Sequence, residues 1–101
     1  MYTLNITSKV ENDINEDWLS WQKEEHIPAI METGCFQSFR FHQLIEQEES
    51  EGKTYVLQLV AGSPEKYREF IDIFEESLKV SCFSKWGENY FEFRSLLQNI
   101  D

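Results

Sequence analysis

The sequence is poor in basic residues, cysteine and long apolar runs, and each shortage excludes a class of protein. Nine basic side chains stand against nineteen acidic ones, which gives a formal net charge of −10. Such a chain repels a phosphate backbone, so nucleic acid is not expected as a partner. The two cysteines form no CxxC pair and the two histidines stand at unrelated spacings, so no metal site is predicted. No apolar run approaches the roughly 18 residues that cross a bilayer, so no membrane partner is expected.

The amino-terminal segment indicates where the protein works. MYTLNITSKV alternates apolar and polar residues and lacks the basic start and apolar run of a signal peptide, which predicts a strand and a cytoplasmic protein. In that compartment Cys35 and Cys82 are expected to be free thiols. The 101 residues predict a single domain over 1–101, and a composition of 41% hydrophobic and 15% aromatic residues excludes disorder.

Hydrophobic periodicity and turn residues predict six secondary-structure elements. Alternation indicates strands and three- or four-residue spacing indicates helices, while Gly34 suits a helix end and Ser63 with Pro64 a helix start. The segment VSCFSKWGEN is predicted to be irregular. The elements are a strand over Tyr2–Val10, a helix over about Asn15–Met31, a strand from Cys35 to about Glu46, a polar turn EQEESEG, a strand over Lys53–Ala61, a helix from Pro64 with Tyr67, Phe70, Ile71, Phe74 and Leu78 on its core face, and a strand over Tyr90–Leu97.

This β-α-β-β-α-β order predicts a ferredoxin-like α+β sandwich, with two helices on one face of a four-stranded antiparallel sheet. The first and third strands are expected at the centre, which places Cys35 and Cys82 near opposite edges, too far apart to bridge. The strand residues expected to pack on the helices are Leu4, Ile6, Tyr55, Leu57, Leu59, Phe91 and Phe93. The opposite face is half apolar and holds Thr3, Asn5, Thr7, Val56, Gln58, Val60, Glu92 and Arg94. Such a mixed face predicts a homodimer joined through the sheet, whereas Phe39 and Phe41 suit either side.

The first predicted helix carries a polar pair inside its apolar stripe. At 100° per residue the stripe spans about 120° and holds Trp18, Leu19, Gln22, His26, Ala29 and Ile30. Pro28 removes a backbone donor inside the helix, which predicts a kink near His26. The buried imidazole and carboxamide need partners, since burying a polar group unpaired costs a few kcal/mol. The stripe therefore indicates either a pocket or a core pair that is satisfied by hydrogen bonds.

The chain resembles a known family over nearly its whole length. The shared pattern is YxLNIT, then WLxWxKEEHIP, then TGCF at the helix end, then a TYxLQ strand and a closing FxxR. Its specific part falls on Trp21, Lys23, Glu24, Glu25, His26, Ile27, Pro28, Thr33, Gly34, Cys35 and Phe36. The pattern is similar to a family of short bacterial proteins of unknown function in the dimeric α/β-barrel group of ferredoxin-like proteins.

The resemblance implies a fold and a dimer but no reaction. The wider group includes cofactor-free quinone-forming monooxygenases, haem-degrading oxygenases, muconolactone isomerases and stress-response proteins. These relatives place small, often aromatic ligands between the helices and the sheet.

His26 is the first candidate for a functional residue. In one interpretation its imidazole faces a cavity between helix and sheet, is oriented by Gln22 or Asn5, and binds a ligand or moves a proton. In the other it is a neutral histidine that is hydrogen-bonded to a backbone carbonyl. Trp18 would wall the same cavity or pack in the core. The candidate ligand-binding set is therefore His26, Gln22, Trp18 and Asn5, with His26 the best candidate for catalysis and no cofactor implied.

Other side chains are weaker candidates, and two functions stay open. The weaker candidates are Trp21 as an aromatic wall or, more commonly for a helical indole, a core residue, and Trp86 as a cavity cap or dimer contact. Glu24 and Glu25 are expected to be solvated surface and Cys35 an inert thiol. Arg40 with His42 could form an anion site or pair with Glu92 across a dimer. The protein is either a small-ligand site of an oxygenase-like kind, or a non-enzymatic scaffold homodimer, and the sequence does not decide whether it is an enzyme. A cavity of a few hundred Å³ touching His26 favours the first, and a filled core favours the second.

Overall fold

The computed structural model of the chain describes residues 1–46 and 48–100, so that Gln47 of the predicted polar turn and Asp101 lie outside the described residues. Within this part of the chain, strands and two helical runs follow one another in the predicted order. Each run contains two α-helices joined by a five-residue π-helical turn. The elements are β1 (Tyr2–Val10), a 3-10 turn (Asn12–Ile14), α1 (Asn15–Trp21), a π turn (Gln22–His26), α2 (Ile27–Glu32), β2 (Ser38–Gln43), β3 (Lys53–Ala61), α3 (Pro64–Glu69), a π turn (Phe70–Phe74), α4 (Glu75–Trp86) and β4 (Tyr90–Gln98).

The four strands form one antiparallel sheet in the order β2-β3-β1-β4, so β1 and β3 are central as predicted. Alternation along β3 sets its faces, because Tyr55, Leu57 and Leu59 are buried while the residues between them are half-buried. The two leucines share one core with Leu4 of β1 and with residues of both helical runs. The helices therefore cover one face of the sheet, and the chain has the predicted ferredoxin-like α+β architecture.

The first helical run changes its winding at the π turn. In a regular helix Ile27 would lie about 180° around the axis from Trp18, and Ile30 about 120°. The π turn accommodates one extra residue, which turns both isoleucines back by roughly 100°. Trp18, Ile27 and Ile30 are consequently all buried. The distortion lies where Pro28 predicted it, but it is a π turn, in which the N–H of Ile27 donates to the carbonyl of Gln22.

Two helix boundaries follow the sequence signals. Gly34 has a φ of +75°, which is the left-handed conformation expected of a residue that ends a helix. The hydroxyl of Thr33 donates to the carbonyl of Ile30 at 2.7 Å and so closes the last turn of α2. Ser63 caps α3, because its hydroxyl oxygen accepts from the backbone N–H of Lys66 at 3.2 Å.

The second helical run is longer than the sequence predicted. α4 continues to Trp86, so the prediction of an irregular segment starting at Val80 was wrong over this stretch. The segment misleads because its bulky apolar residues, Val80 and Phe83, are exposed, whereas the small residue Cys82 is buried. Among the described residues, no helix has the length and apolar character needed to cross a membrane.

β4 faces the other way from the prediction. Arg94 lies opposite Ile6 in the register with β1, so Arg94 and Glu92 lie on the helix-covered face. Phe91 and Phe93 lie on the opposite face, which no described helix covers, and they are 59% and 60% exposed. Period-two alternation shows which strand residues share a face, but the choice of face depends on the register with the neighbouring strand.

β2 is shorter than predicted, and it settles the side on which its aromatic residues lie. Phe39 and Phe41 are opposite two buried leucines of β3, so they belong to the helix-covered side. Cys35 and Phe36, predicted as strand residues, precede β2 and are buried in the core.

Candidate functional site

A cleft opens on the helix-covered side of the sheet between the two helical runs and β4. Its interior holds about 40 Å³, and the whole space including the open mouth is about 390 Å³. The apolar side chains that line it are Leu4, Ile6, Ile30, Phe70 and Leu78. The polar and charged side chains that line it are His26, Cys82, Glu75, Lys79, Glu92 and Arg94. We call this space the His26 cleft.

His26 lies at the end of the first π turn and stacks on an indole ring. The ring centroids of His26 and Trp21 are 4.7 Å apart, with an angle of 18° between the planes. Burial lowers the pKa of the imidazole from 6.5 to about 4, because the charged form loses its hydration. His26 is therefore a neutral hydrogen-bonding group near pH 7, not an imidazolium.

Cys82 reaches His26 from α4. Its Sγ lies 3.6 Å from each ring nitrogen of His26, so the thiol can donate to whichever nitrogen carries no proton. Burial raises the pKa of Cys82 to about 11, although a hydrogen bond with Tyr90 acts in the opposite direction. Burial also raises the pKa of the Tyr90 hydroxyl. The three groups are uncharged at neutral pH, so this cysteine is not an activated nucleophile.

The charged residues of the cleft are concentrated near α4 and β4. Glu75 pairs with Lys79 at 3.1 Å and also with Arg94. Much of Glu92 is exposed, yet its carboxyl group is desolvated enough for burial to raise its pKa, while Lys79 and Arg94 act to lower it. Glu92 is thus the carboxylate of the cleft whose titration moves toward neutral pH.

Three of the predicted site residues, Trp18, Gln22 and His26, lie close together. Trp18, Gln22 and His26 border a second, polar void of about 10 Å³, which Glu92 and Ser8 also line. This volume suits a single water molecule at most. The indole N–H of Trp18 is buried and has no hydrogen-bond partner among the described residues. The three predicted side chains therefore lie close together, but Trp18 and Gln22 border only this small void, and of the three only His26 lines the larger cleft.

Asn5, the fourth predicted site residue, lies on the other face of the sheet. The side-chain amide of Gln58 donates to its oxygen at 3.2 Å, and its own amide nitrogen donates to the hydroxyl of Thr7 at 3.4 Å. Asn5 therefore does not orient His26, which corrects that expectation. The alternation of β1 had already placed Asn5 on this face, so its inclusion in the candidate site disagreed with the predicted strand pattern.

The remaining candidates, Arg40, His42 and Trp86, do not line the His26 cleft. Arg40 and His42 share the uncovered face of the sheet, while Glu92 lies on the helix-covered face, so the predicted pairing across a dimer loses its geometry. Trp86 packs edge-to-face on Trp21 with centroids 5.8 Å apart, inside the helix–sheet layer.

Elsewhere in the described part of the chain, neither a reactive thiol nor a metal centre is evident. Burial raises the pKa of Cys35, and its Sγ lies 3.6 Å from a carboxylate oxygen of Glu69, which further disfavours a thiolate. Glu24 and Glu25 are exposed, as expected. Within residues 1–46 and 48–100, no three histidine, cysteine, aspartate or glutamate side chains are grouped closely enough to hold a metal ion.

Sequence reasoning missed five polar or charged side chains of the cleft. Cys82 could have been found, because it lies four residues after Leu78 and continues the apolar stripe of the second run. Glu75, Lys79, Glu92 and Arg94 gave no such signal. They are charged residues of α4 and β4, and the register of β4 with β1 places Glu92 and Arg94 on the side of the sheet where the cleft lies.

Comparisons with known proteins give a family and a fold. The DUF4286 family, described as a domain of unknown function, matches residues 1–100, and no curated protein matches the chain. A dimeric ferredoxin-like protein from an uncultured marine organism has a TM-score of 0.76 and 14% identity, covering 99% of this chain and 95% of that chain. An ethyl tert-butyl ether (ethd) family protein from Bacillus halodurans has a TM-score of 0.73 and 9% identity, covering 99% and 100%. SnoaB, a cofactor-independent oxygenase from Streptomyces nogalater, has a TM-score of 0.67 and 8% identity, covering 99% and 94%.

Proposed function

Because the chain belongs to the DUF4286 family, whose description states no activity, we propose its function from the geometry of the His26 cleft. The protein binds a small apolar or aromatic molecule in this cleft, and it does so as a homodimer joined through the uncovered sheet face. The observation that carries the proposal is a cleft with an apolar lining, a neutral imidazole and charged residues near its mouth. Apolar walls with a few polar groups are the usual composition of small-molecule sites.

The cleft supplies both apolar contact and hydrogen bonding. Ile6 and Leu78 offer apolar surface, while the uncharged ring of His26 offers a hydrogen bond to a ligand hydroxyl or carbonyl. Because the pKa of His26 lies far below neutral pH, its ring holds the ligand through a hydrogen bond and does not exchange protons with it. In an enzymatic version of this proposal the proton acceptor is the carboxylate of Glu92, whose pKa is raised.

The size of the cleft decides where a ligand lies. The interior of about 40 Å³ is far smaller than the few hundred Å³ usual for small-ligand sites, and most of the space of about 390 Å³ lies in the open mouth. The ligand therefore occupies mainly the mouth, against the side chains of Lys79 and Arg94. Both of these residues are exposed, so they can change rotamer at small cost.

The dimer part of the proposal is supported by the uncovered sheet face. Phe91, Phe93 and Leu97 of β4 are exposed there, and Val56 and Val60 of β3 are half-buried. Exposed apolar area of this kind usually marks an interface. A solved protein with the same fold is described as dimeric. The proposal places the dimer in the cytoplasm, where the two buried cysteines stay reduced.

A second candidate function is the scaffold homodimer without a ligand. It is favoured by one observation, the small interior volume of the cleft. The two candidates share the dimer and differ only in whether the cleft takes up a molecule. A cofactor-independent oxygenase of the same fold makes an oxygenase-like reaction the first activity to test.

The deciding experiment is a thermal-shift screen against quinones, phenols and haem, followed by titration of any hit. We expect a saturable rise in melting temperature with an aromatic compound. His26→Ala should lower the affinity for the compound at least about tenfold, since the change deletes the hydrogen-bonding group and the ring that stacks on Trp21. Leu78→Trp should also prevent binding, because the larger ring fills the cleft.

The matched control is Glu25→Ala, an exposed change on the same π turn that does not touch the cleft. It should bind like the original chain. A chain whose melting temperature responds to no compound, or one in which Leu78→Trp binds the hit unchanged, would contradict the ligand proposal and favour the scaffold homodimer. Any hit is then incubated under oxygen to test for turnover, with Glu92→Gln as the variant that lacks the proposed base.

A further inference from the structure

The helix-covered face of β1 contains one small polar residue, Ser8, which is 5% exposed. The other residues of this face pack in the two core clusters and are Tyr2, Leu4, Ile6 and Val10. The neighbours of Ser8 across the sheet are Tyr55 of β3 and Glu92 of β4, and both have much longer side chains. A short side chain between two long ones leaves room under the first helical run. This room is the polar void of about 10 Å³, which we call the Ser8 void.

The polar side chains that line the Ser8 void lack partners within the protein. Apart from cysteine and aromatic residues, the buried polar residues of the described chain are Ser8 and Gln22, and both line this void. Among the described residues, no hydrogen bond involves the hydroxyl of Ser8 or the side-chain amide of Gln22. Trp18 lines the same void, and its buried indole N–H is also unpartnered. Buried polar groups in native proteins are paired, and ordered water pairs them where protein groups do not.

The size of the Ser8 void limits its occupant. At about 10 Å³ it is near the lower limit for holding one water molecule, and it is far smaller than a site for an organic ligand. A buried water molecule usually has about three hydrogen-bonding partners. Ser8, Gln22 and Glu92 supply that number from β1, the first π turn and β4.

We propose that one water molecule occupies the Ser8 void and joins Ser8, Gln22 and Glu92 by hydrogen bonds. The hydroxyl of Ser8 and the amide N–H of Gln22 donate to the water oxygen, and the water donates to a carboxylate oxygen of Glu92. Such water-mediated hydrogen bonds are nearly as favourable in enthalpy as direct ones.

The water links the core to the His26 cleft, because Glu92 lines both spaces. Ser8 and Gln22 are then positioning residues, which act on the carboxylate of Glu92 through the water. The part that Glu92 plays in the cleft rests on the proposed function, whereas the water site itself needs no ligand.

The water is tested on the full chain without any added compound. A crystal structure should show density for a single water molecule within hydrogen-bonding distance of Ser8 Oγ, the Gln22 amide and the Glu92 carboxylate. In solution, NMR cross-relaxation between water and the side-chain amide protons of Gln22 should have the sign of a long-lived, buried water molecule.

Two substitutions test the link to Glu92. Ser8→Val fills the void with apolar atoms, and Gln22→Leu removes the partner on the π turn. In both variants the carboxylate of Glu92 loses its donor, so it should bind its proton about tenfold more tightly, as followed through its carboxyl carbon resonance. The matched control is Ser38→Val, the same change at an exposed position of β2 outside the void, and it should leave the titration of Glu92 unchanged.

Several results would overturn the inference. These are density in which Ser8 bonds directly to Gln22 or Glu92, an absence of cross-relaxation from water to Gln22, or an unchanged titration of Glu92 in either folded variant. If Ser8→Val does not fold, Gln22→Leu decides the outcome. A chain that shows the water but responds to no compound in the thermal-shift screen would contradict the ligand proposal alone.

Discussion

At the scale of the residue, burial of His26 makes the stability of the protein depend on pH. The folded chain holds this imidazole with a pKa of about 4, against 6.5 for an exposed group. The unfolded chain therefore takes up the proton first as pH falls, so the free energy of unfolding should decrease between about pH 6.5 and pH 4. The shift corresponds to a loss of up to about 3 kcal/mol, measured by urea unfolding across that range.

The comparison with His26→Gln isolates this contribution. The variant lacks the titrating ring, so its stability should fall less steeply over the same range. Glu92 acts in the opposite direction, since its raised pKa lets the folded state bind a proton more readily as pH falls, and it is present in both chains. Parallel pH curves for the two proteins would show that His26 is not desolvated. A direct NMR titration of the ring gives its pKa independently.

At the scale of the element, the π turn of the first run is explained better by core packing than by proline. The extra residue brings Ile27 and Ile30 round to the buried side, and the second run has a π turn over Phe70–Phe74 although its proline, Pro64, lies at the start of the run and not beside the turn. We therefore expect Pro28→Ala to keep the turn and to cost less than about 1 kcal/mol of stability. Urea unfolding measures the cost, and the ring-current shift of His26 from its stacked indole reports the turn.

The contrasting variant is Ile27→Ala, which removes a buried side chain whose position depends on the π turn. It should cost about 2–5 kcal/mol. If Pro28→Ala moved the His26 resonances to values of an unstacked ring, proline would be the cause of the turn. The sequence placed a distortion here correctly but could not give its type, because a regular period of 3.6 residues assigns Ile27 to the solvent side.

At the scale of the whole molecule, element order followed from local patterns, whereas the composition of each sheet face did not. The elements were predictable from alternation, Gly34 and the Ser63 cap, and their order together with the crossover rule predicted the strand order and the helix layer. The faces of β4 were assigned in reverse, because both of its alternating sets contain bulky residues and only pairing with β1 decides between them. The register of β4 with β1 places Glu92 and Arg94 in the cleft and places Phe91 and Phe93 on the uncovered face. The corrected face is more apolar than the predicted one, which strengthens the case for a dimer.

A pair of matched substitutions can test the proposed dimer interface. Phe93 on the uncovered face and Phe83 on α4 are 60% and 63% exposed. Phe93→Glu would bury an unpaired carboxylate in the interface, a cost of several kcal/mol, so this variant should be a monomer of 12.1 kDa by light scattering at micromolar concentration. Phe83→Glu adds the same charge outside the face and should keep the doubled mass of the original chain. If the original chain also scattered as 12.1 kDa, or if both variants stayed dimeric, the two phenylalanines of β4 would not lie in a dimer interface.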